Sequence, residues 1–297
     1  MNPDTPIYRF FDFAALVNTV ERQKLRFAAV SQFLDRGDRN EGLEIHYNSL
    51  RKAIESKDGL YKGIRSREDA LRLHKNLAGG FFVCSWTLAA DSIALWSLYS
   101  ADKSGVRISS RVSKLQAALD DFARKNGRPS ALTRDQLDSA LHYADWVGVR
   151  AIQYEDLRRM HEMIAGKGRE HADEVLKDLA KKWHRLEPFT IKDTAYGHES
   201  EVRGIVKYGG YAPSNTKDAS MGRPPWLDDD GSYLFMDIDL DFVESVAIDP
   251  RCPRDKRKII EEFLRDHDLR LSASRAFGYL LDELDFVKSD TTPPADK

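Results

Sequence analysis

The six residues Phe81–Trp86, FFVCSW, form the most apolar run of the chain. Preceded by Gly79 and Gly80, the run reads as a strand buried on both faces, which requires a sheet with other elements packed around it. Further short stretches carry strand character: IYRFF, LRFAAV, SGVRIS with Val106 and Ile108 facing one way, WVGVRAIQY, PFTIKD, EVRGIVKYG, YLFMDIDL and VESVAID. Helical periodicity lies between them. DFAALVNTVERQK is capped by Asp12 and offers Ala15, Leu16, Thr19 and Val20 as one face, and SREDALRLHKNLAGG is capped by Ser66. DSIALWSLYSA opens at Asp91, SRVSKLQAALDDFARKNG ends on glycine, TRDQLDSALHYA opens with the pair Thr133 and Gln136, and PRDKRKIIEEFLRDHD has Pro253 near its start.

Strands thus cluster at both ends of the chain around a helical middle. The expectation is one α+β domain over residues 1–287, with a helical insertion at about 110–187 and a flexible tail at 288–297. The polar, glycine-bearing stretch SQFLDRGDRNEGLE reads as a loop. The glycine- and proline-rich stretch from Gly209 to Ser232 reads as a lid, a substrate loop or a disordered segment.

Composition excludes several classes. With 41% hydrophobic and 32% charged residues in 297, the chain has the makings of an ordinary folded core. A net charge of -2 gives no global pull toward nucleic acid. The two cysteines, Cys84 and Cys252, form no spaced cluster, so neither a zinc site nor a disulfide framework is expected, and no metal is assigned. MNPDTPIYRF has no signal-peptide pattern and no apolar run approaches membrane-spanning length. The expected setting is cytoplasmic.

Chemistry points first to Glu199 and Glu201, in YGHESEVRGIV. If strand geometry runs through both, they share one face, and Arg203 continues it. Two close carboxylates can divide roles, one stabilising positive charge and the other accepting a proton; the plainer reading is a solvated strand edge with a salt bridge. Ser85 and Thr87 share a face in CSWT, where hydroxyls could orient a carboxylate, or else begin a loop. Arg9 stands in the aromatic strand IYRFF, and its fork suits a phosphate or carboxylate, or snorkels to water. Tyr8, Trp96 and Tyr99 pack a core or stack on a planar ring. The middle carries Arg158, Arg159, Lys167, Arg169, Lys177, Lys181, Lys182 and Arg185 among acidic residues, a solvated helix face or a surface for a polyanion.

Two resemblances follow from these motifs. YRF, LRFAAVSQFLDRGDRNEGL, FFVCSWTLAADSIALWSLYSADKSGVRIS and FTIKDTAYGHESEVRGIV are similar to a large bacterial family of unknown function. FLDRGDRNEG departs from that family's shorter asparagine–aspartate turn, so the resemblance does not assign the role of Asp35, Asn40 and Glu41. The order of an arginine on an early strand (Arg9), Ser-x-Thr on a later one (Ser85, Thr87) and Glu-x-Glu opening another (Glu199, Glu201) resembles the ADP-ribosyltransferase superfamily of the arginine–serine–glutamate type.

That resemblance implies an ADP-ribosyltransferase-like split mixed sheet and NAD as substrate. It implies that Arg9 binds a phosphate or the nicotinamide-side ribose, and that Ser85 holds Glu201. Glu201 would bind the ribose and stabilise the oxocarbenium-like state, and Glu199 would orient or deprotonate the acceptor. Tyr8, Thr87, Tyr99 and Phe33 complete the expected NAD pocket. The acceptor would be a protein or nucleic acid, in a toxin or phage-defence setting, with an antitoxin or regulatory protein as partner. The competing expectations are a non-catalytic interaction module, and a nucleic-acid-binding protein using the basic middle.

Overall fold

The computed structural model describes residues 1–35, 80–127, 143–157, 159, 162, 190–209, 226–229 and 231–278. These form a mixed α+β fold around one large, mainly antiparallel sheet. Its strands are β1 (Pro6–Phe11), β2 (Lys24–Ala29), β3 (Phe81–Thr87), β4 (Val106–Arg111), β5 (Tyr143–Ala151), β8 (Glu201–Gly209), β9 (Tyr233–Asp237), β10 (Ser245–Ile248) and β11 (Leu271–Ser272). Two short parallel strands, β6 (Gln153–Glu155) and β7 (Ile191–Asp193), pair separately. The described helices are α1 (Phe13–Arg22), α2 (Val30–Asp35), α3 (Ile93–Tyr99), α4 (Val112–Asn126) and α5 (Arg254–Asp266).

The apolar run Phe81–Trp86, within β3, lies at the centre of the sheet. Along one edge β3 pairs with β8 from Phe81↔Lys207 to Thr87↔Glu201. Its other edge is divided. β2 pairs with it at Ala28↔Val83 and Ala29↔Phe82, whereas β1 meets it only at Tyr8↔Thr87. The two neighbours therefore diverge beside Cys84–Trp86 and leave a fork in the sheet. β1 continues into β4, β10 and β11, and β2 continues into β9.

One face of the sheet carries the main core, with Ile7, Phe27, Cys84, Val202 and Val206 packed against Leu16 of α1, Leu115 and Leu119 of α4, and Ile260 and Leu264 of α5. Gly204 belongs to this contact. A Cβ there would lie 3.3 Å from Leu115 Cδ1 and Phe27 Cε1, so the glycine lets β8 approach α4 closely. On β1, Phe10 meets Trp96 edge-on at 4.8 Å, which seats α3 beside the fork.

Several local expectations are revised. Asp12 does cap α1, its Oδ1 accepting from the Ala15 amide at 2.7 Å. The cap of α3, however, is Ser92, because Asp91 instead pairs with the buried Arg107 and accepts from Ser274. The stretch after β2 begins as a helix over Val30–Asp35 rather than as a loop. Within 110–187, β5 lies in the main sheet alongside β8, so that segment supplies a sheet strand as well as helix. Near the end of the glycine- and proline-rich stretch, Trp226 is buried against Phe122 and Leu227 bridges to Leu234. The expected helices at Ser66–Gly80 and at Thr133 lie outside the described residues but for Gly80, as do the tail and, among the basic residues of the middle, all but Arg159, which is exposed. No described helix is long and apolar enough to cross a membrane.

The α1 cap allows a simple check. Asp12→Ala should cost about 1 kcal/mol, the usual worth of a side-chain N-cap. Thermal denaturation should register that as a fall in Tm of roughly 2–4 °C; an unchanged Tm would show that the cap hydrogen bond is replaced by water at no cost.

Candidate functional site

A cleft of about 510 Å³ opens at the fork. β1 contributes Tyr8 and Arg9, β2 contributes Arg26, and β3 contributes Ser85 and Thr87. α3 adds Leu98 and Tyr99, β7 adds Lys192, the turn before β8 adds Glu199, and β8 itself adds Glu201 and Arg203. Arg9, Ser85 and Glu201, 192 positions apart at the extremes of the sequence, thus line one space. Of the residues expected to bind NAD, Tyr8, Arg9, Ser85, Thr87 and Tyr99 all line it. The side chain of Phe33 lies outside the described residues.

The expected geometry of the glutamate pair needs correction. Strand alternation does not run through both residues. Glu199 closes a 3-10 turn over Thr194–Glu199, Ser200 takes a left-handed φ of 44°, and β8 starts only at Glu201. The left-handed residue reverses the local path, so the two carboxylates meet by another route. Lys192 Nζ lies 2.7 Å from Glu199 Oε2 and 2.9 Å from Glu201 Oε2. Thr87 pins the turn from the neighbouring strand by donating its hydroxyl to the Glu199 carbonyl, and the Leu88 amide donates to the Ser200 carbonyl at 3.0 Å.

Glu201 is the most constrained acid of the cleft, at 5% exposure. Its Oε1 accepts from Arg203 Nε at 2.6 Å, and its Oε2 accepts from the other arm of the same guanidinium at 3.2 Å. This is the two-residue face expected of β8, with Ser85 in register opposite Arg203. Burial pushes the Glu201 carboxyl upward, but Arg203, Lys192 and a hydrogen bond from Ser85 outweigh it and hold the pKa at about 2. The backbone is tied too, since the Glu201 amide donates to the Tyr154 hydroxyl at 2.7 Å and its carbonyl accepts from Ile152 at 2.9 Å.

The depressed pKa has a consequence for stability. A carboxyl whose folded pKa lies below its ordinary value of 4.5 contributes stability that is complete above that value and is lost as pH falls toward about 2. The Tm difference between the parent and Glu201→Gln should therefore be larger at pH 6 than at pH 3. Equal differences at both pH values would show that the ionised form is not preferentially held.

The cations fall into two sets. Lys192 and Arg203 are matched by the two glutamates. Arg9 and Arg26 have no carboxylate partner among the described residues. Arg9 donates to Cys84 Sγ at 2.8 Å in the fork, and burial pushes that thiol's pKa up, so this partner is neutral and no described carboxylate compensates the guanidinium. Arg26 stands on the opposite prong, its guanidinium 4.8 Å from the centre of the Tyr233 ring. Among the described residues the fork therefore presents two guanidinium groups without a carboxylate partner beside a buried acid, the arrangement that suits a ligand carrying both anionic and hydroxyl groups.

Sequence reasoning missed Lys192, Arg26 and Tyr154. Each stands alone in its strand motif; the pairing of β6 with β7 and the path of β2 bring Lys192 and Arg26 to the cleft and set the Tyr154 hydroxyl against the Glu201 amide. The expectation for Arg203 as the neutralising base survives for Glu201 alone, because Glu199 is matched by Lys192. Cys84 and Cys252 are both free. Among the described residues no group of three or more histidine, cysteine or acidic side chains is set to hold a metal ion.

The chain matches no family model, no curated protein and no solved structure.

Proposed function

We propose that the protein is an NAD-dependent ADP-ribosyltransferase that modifies a macromolecular acceptor. One observation carries the reading: Arg9, Ser85 and Glu201, from three strands distant in sequence, line a single cleft at the point where the sheet divides. The cleft volume of about 510 Å³ falls within the roughly 300–1,000 Å³ typical of small-molecule sites. The divided edge of β3 is compatible with the split sheet that the arginine–serine–glutamate order implies.

In this reading Arg9 and Arg26 receive the diphosphate, whose charge complements theirs. Tyr8 and Tyr99 offer aromatic surface to the planar ring of the nicotinamide. Glu201 accepts a hydrogen bond from the nicotinamide-side ribose. Its negative charge faces the sugar as the C–N glycosidic bond breaks, the electron pair leaves with nicotinamide, and positive charge grows on the sugar. Ser85 and Arg203 hold the carboxylate in one orientation and keep it ionised. Glu199, at the mouth and tied to the turn, orients the acceptor nucleophile or takes its proton. Water in place of the acceptor would give NAD hydrolysis by the same first step.

The test is to incubate the purified protein with NAD labelled in the adenylate half, with and without cell extract, and to measure nicotinamide release and label transfer. Release with transfer to protein or nucleic acid is the expected result. Unchanged NAD under all conditions would favour the second reading, a non-catalytic interaction module. That reading has its own support in the fully ion-paired state of Glu201.

A further inference from the structure

A carboxylate offers about four hydrogen-bond acceptor positions. On Glu201 the Arg203 guanidinium makes two hydrogen bonds, at 2.6 and 3.2 Å, and the Lys192 ammonium stands in ion-pair contact with Oε2 at 2.9 Å. A ligand hydroxyl that approaches Oε2 from the Lys192 side must displace that ammonium.

The donors are not equally replaceable. Arg203 has a side chain only 4% exposed and grips both oxygens with a rigid planar fork. Ser85 is fixed in register on the adjacent strand. Lys192 comes from outside the main sheet, on β7, and carries a compact ammonium on a flexible stem. Its Nζ already has a second carboxylate, Glu199, at 2.7 Å, and the Tyr196 ring at 5.3 Å. Leaving Glu201 would not leave this ammonium unpaired.

We propose that Lys192 is the displaceable group of the site: its ammonium holds the acceptor position on Glu201 that a ligand's ribose hydroxyl takes, and on binding it retreats to Glu199. The proposal rests on the NAD reading for the identity of that ligand. It makes Lys192 a residue that sets affinity. A self-occupied site binds with an apparent affinity reduced by the fraction of molecules in which the position is open.

The experiment is isothermal titration of the parent, Lys192→Met and Lys192→Arg with two probes: an uncleavable carbocyclic NAD analogue, and ADP-ribose. Lys192→Met should bind both probes about tenfold or more tightly than the parent, a change of roughly 1.4 kcal/mol. Lys192→Arg, which can still donate to Glu201, should bind no more tightly than the parent. ADP-ribose separates displacement from simple charge removal, because it has the ribose hydroxyls without the cationic ring. Tightening confined to the cationic analogue would overturn the proposal. So would equal or weaker binding of both probes by Lys192→Met while the parent binds them, and this would leave the NAD reading standing. Absence of binding by all three proteins would remove the NAD reading and the proposal together. If Lys192→Met does not fold, judged by circular dichroism, Lys192→Ala, which likewise has no side-chain donor, takes its place under the same criteria.

Discussion

Glu201→Gln is expected to lower nicotinamide release from NAD by about 10²–10³-fold, the usual loss when a preorganised electrostatic contact to developing charge is removed. Glutamine keeps the size of the side chain and an acceptor oxygen for Ser85 and Arg203. What it lacks is the negative charge. That charge is held ready in the folded protein, with the carboxyl pKa at about 2, so the acid is ionised at neutral pH without any ligand. The variant also leaves two cations less well matched, so turnover should be compared at a temperature where both proteins are folded. Release within a few-fold of the parent would mean that the carboxylate does not face the departing base, and the transferase reading would have to be given up.

Arg203→Met should have the largest effect on stability. The guanidinium and the Glu201 carboxylate are each 4% exposed in their side chains and joined at 2.6 Å. Removing one partner of such a pair strands the other in a poorly solvated place, at a cost of about 3–5 kcal/mol. For a chain of this size that corresponds to a Tm lower by roughly 5–15 °C. The double variant Arg203→Met with Glu201→Leu should recover much of the loss, because no charge is then left without its partner. Calorimetry on the parent, the single and the double variants would decide the matter. A single variant within about 2 °C of the parent, a difference of about 1 kcal/mol or less, would show that water or Lys192 compensates Glu201 fully.

Much of the fold was readable from the chain because strand and helix are local periodicities. β8 spans Glu201–Gly209, the very residues of EVRGIVKYG, and α1 begins after its aspartate cap. The errors came where a side chain had a distant partner or where the backbone turned locally out of alternation. Asp91 looked like a cap, but Arg107, 16 positions on, draws it away, and Ser92 takes the amide. Glu199 and Glu201 looked like neighbours on one strand face, but the left-handed Ser200 breaks the alternation between them.

Local pattern in the chain is enough to mark the main strands, their buried faces and the types of side chain available: a guanidinium in IYRFF, hydroxyls in CSWT, carboxylates in HESEV. These follow from backbone geometry and apolar periodicity, which act over a few residues. What the chain leaves open until it folds is that β3 shares its second edge between two diverging strands, that Arg26 lines the same cleft as Arg9, and that Lys192 bridges the two acids. Those outcomes depend on strand pairings across tens to hundreds of residues, and a single chain carries no periodic trace of which edges will meet.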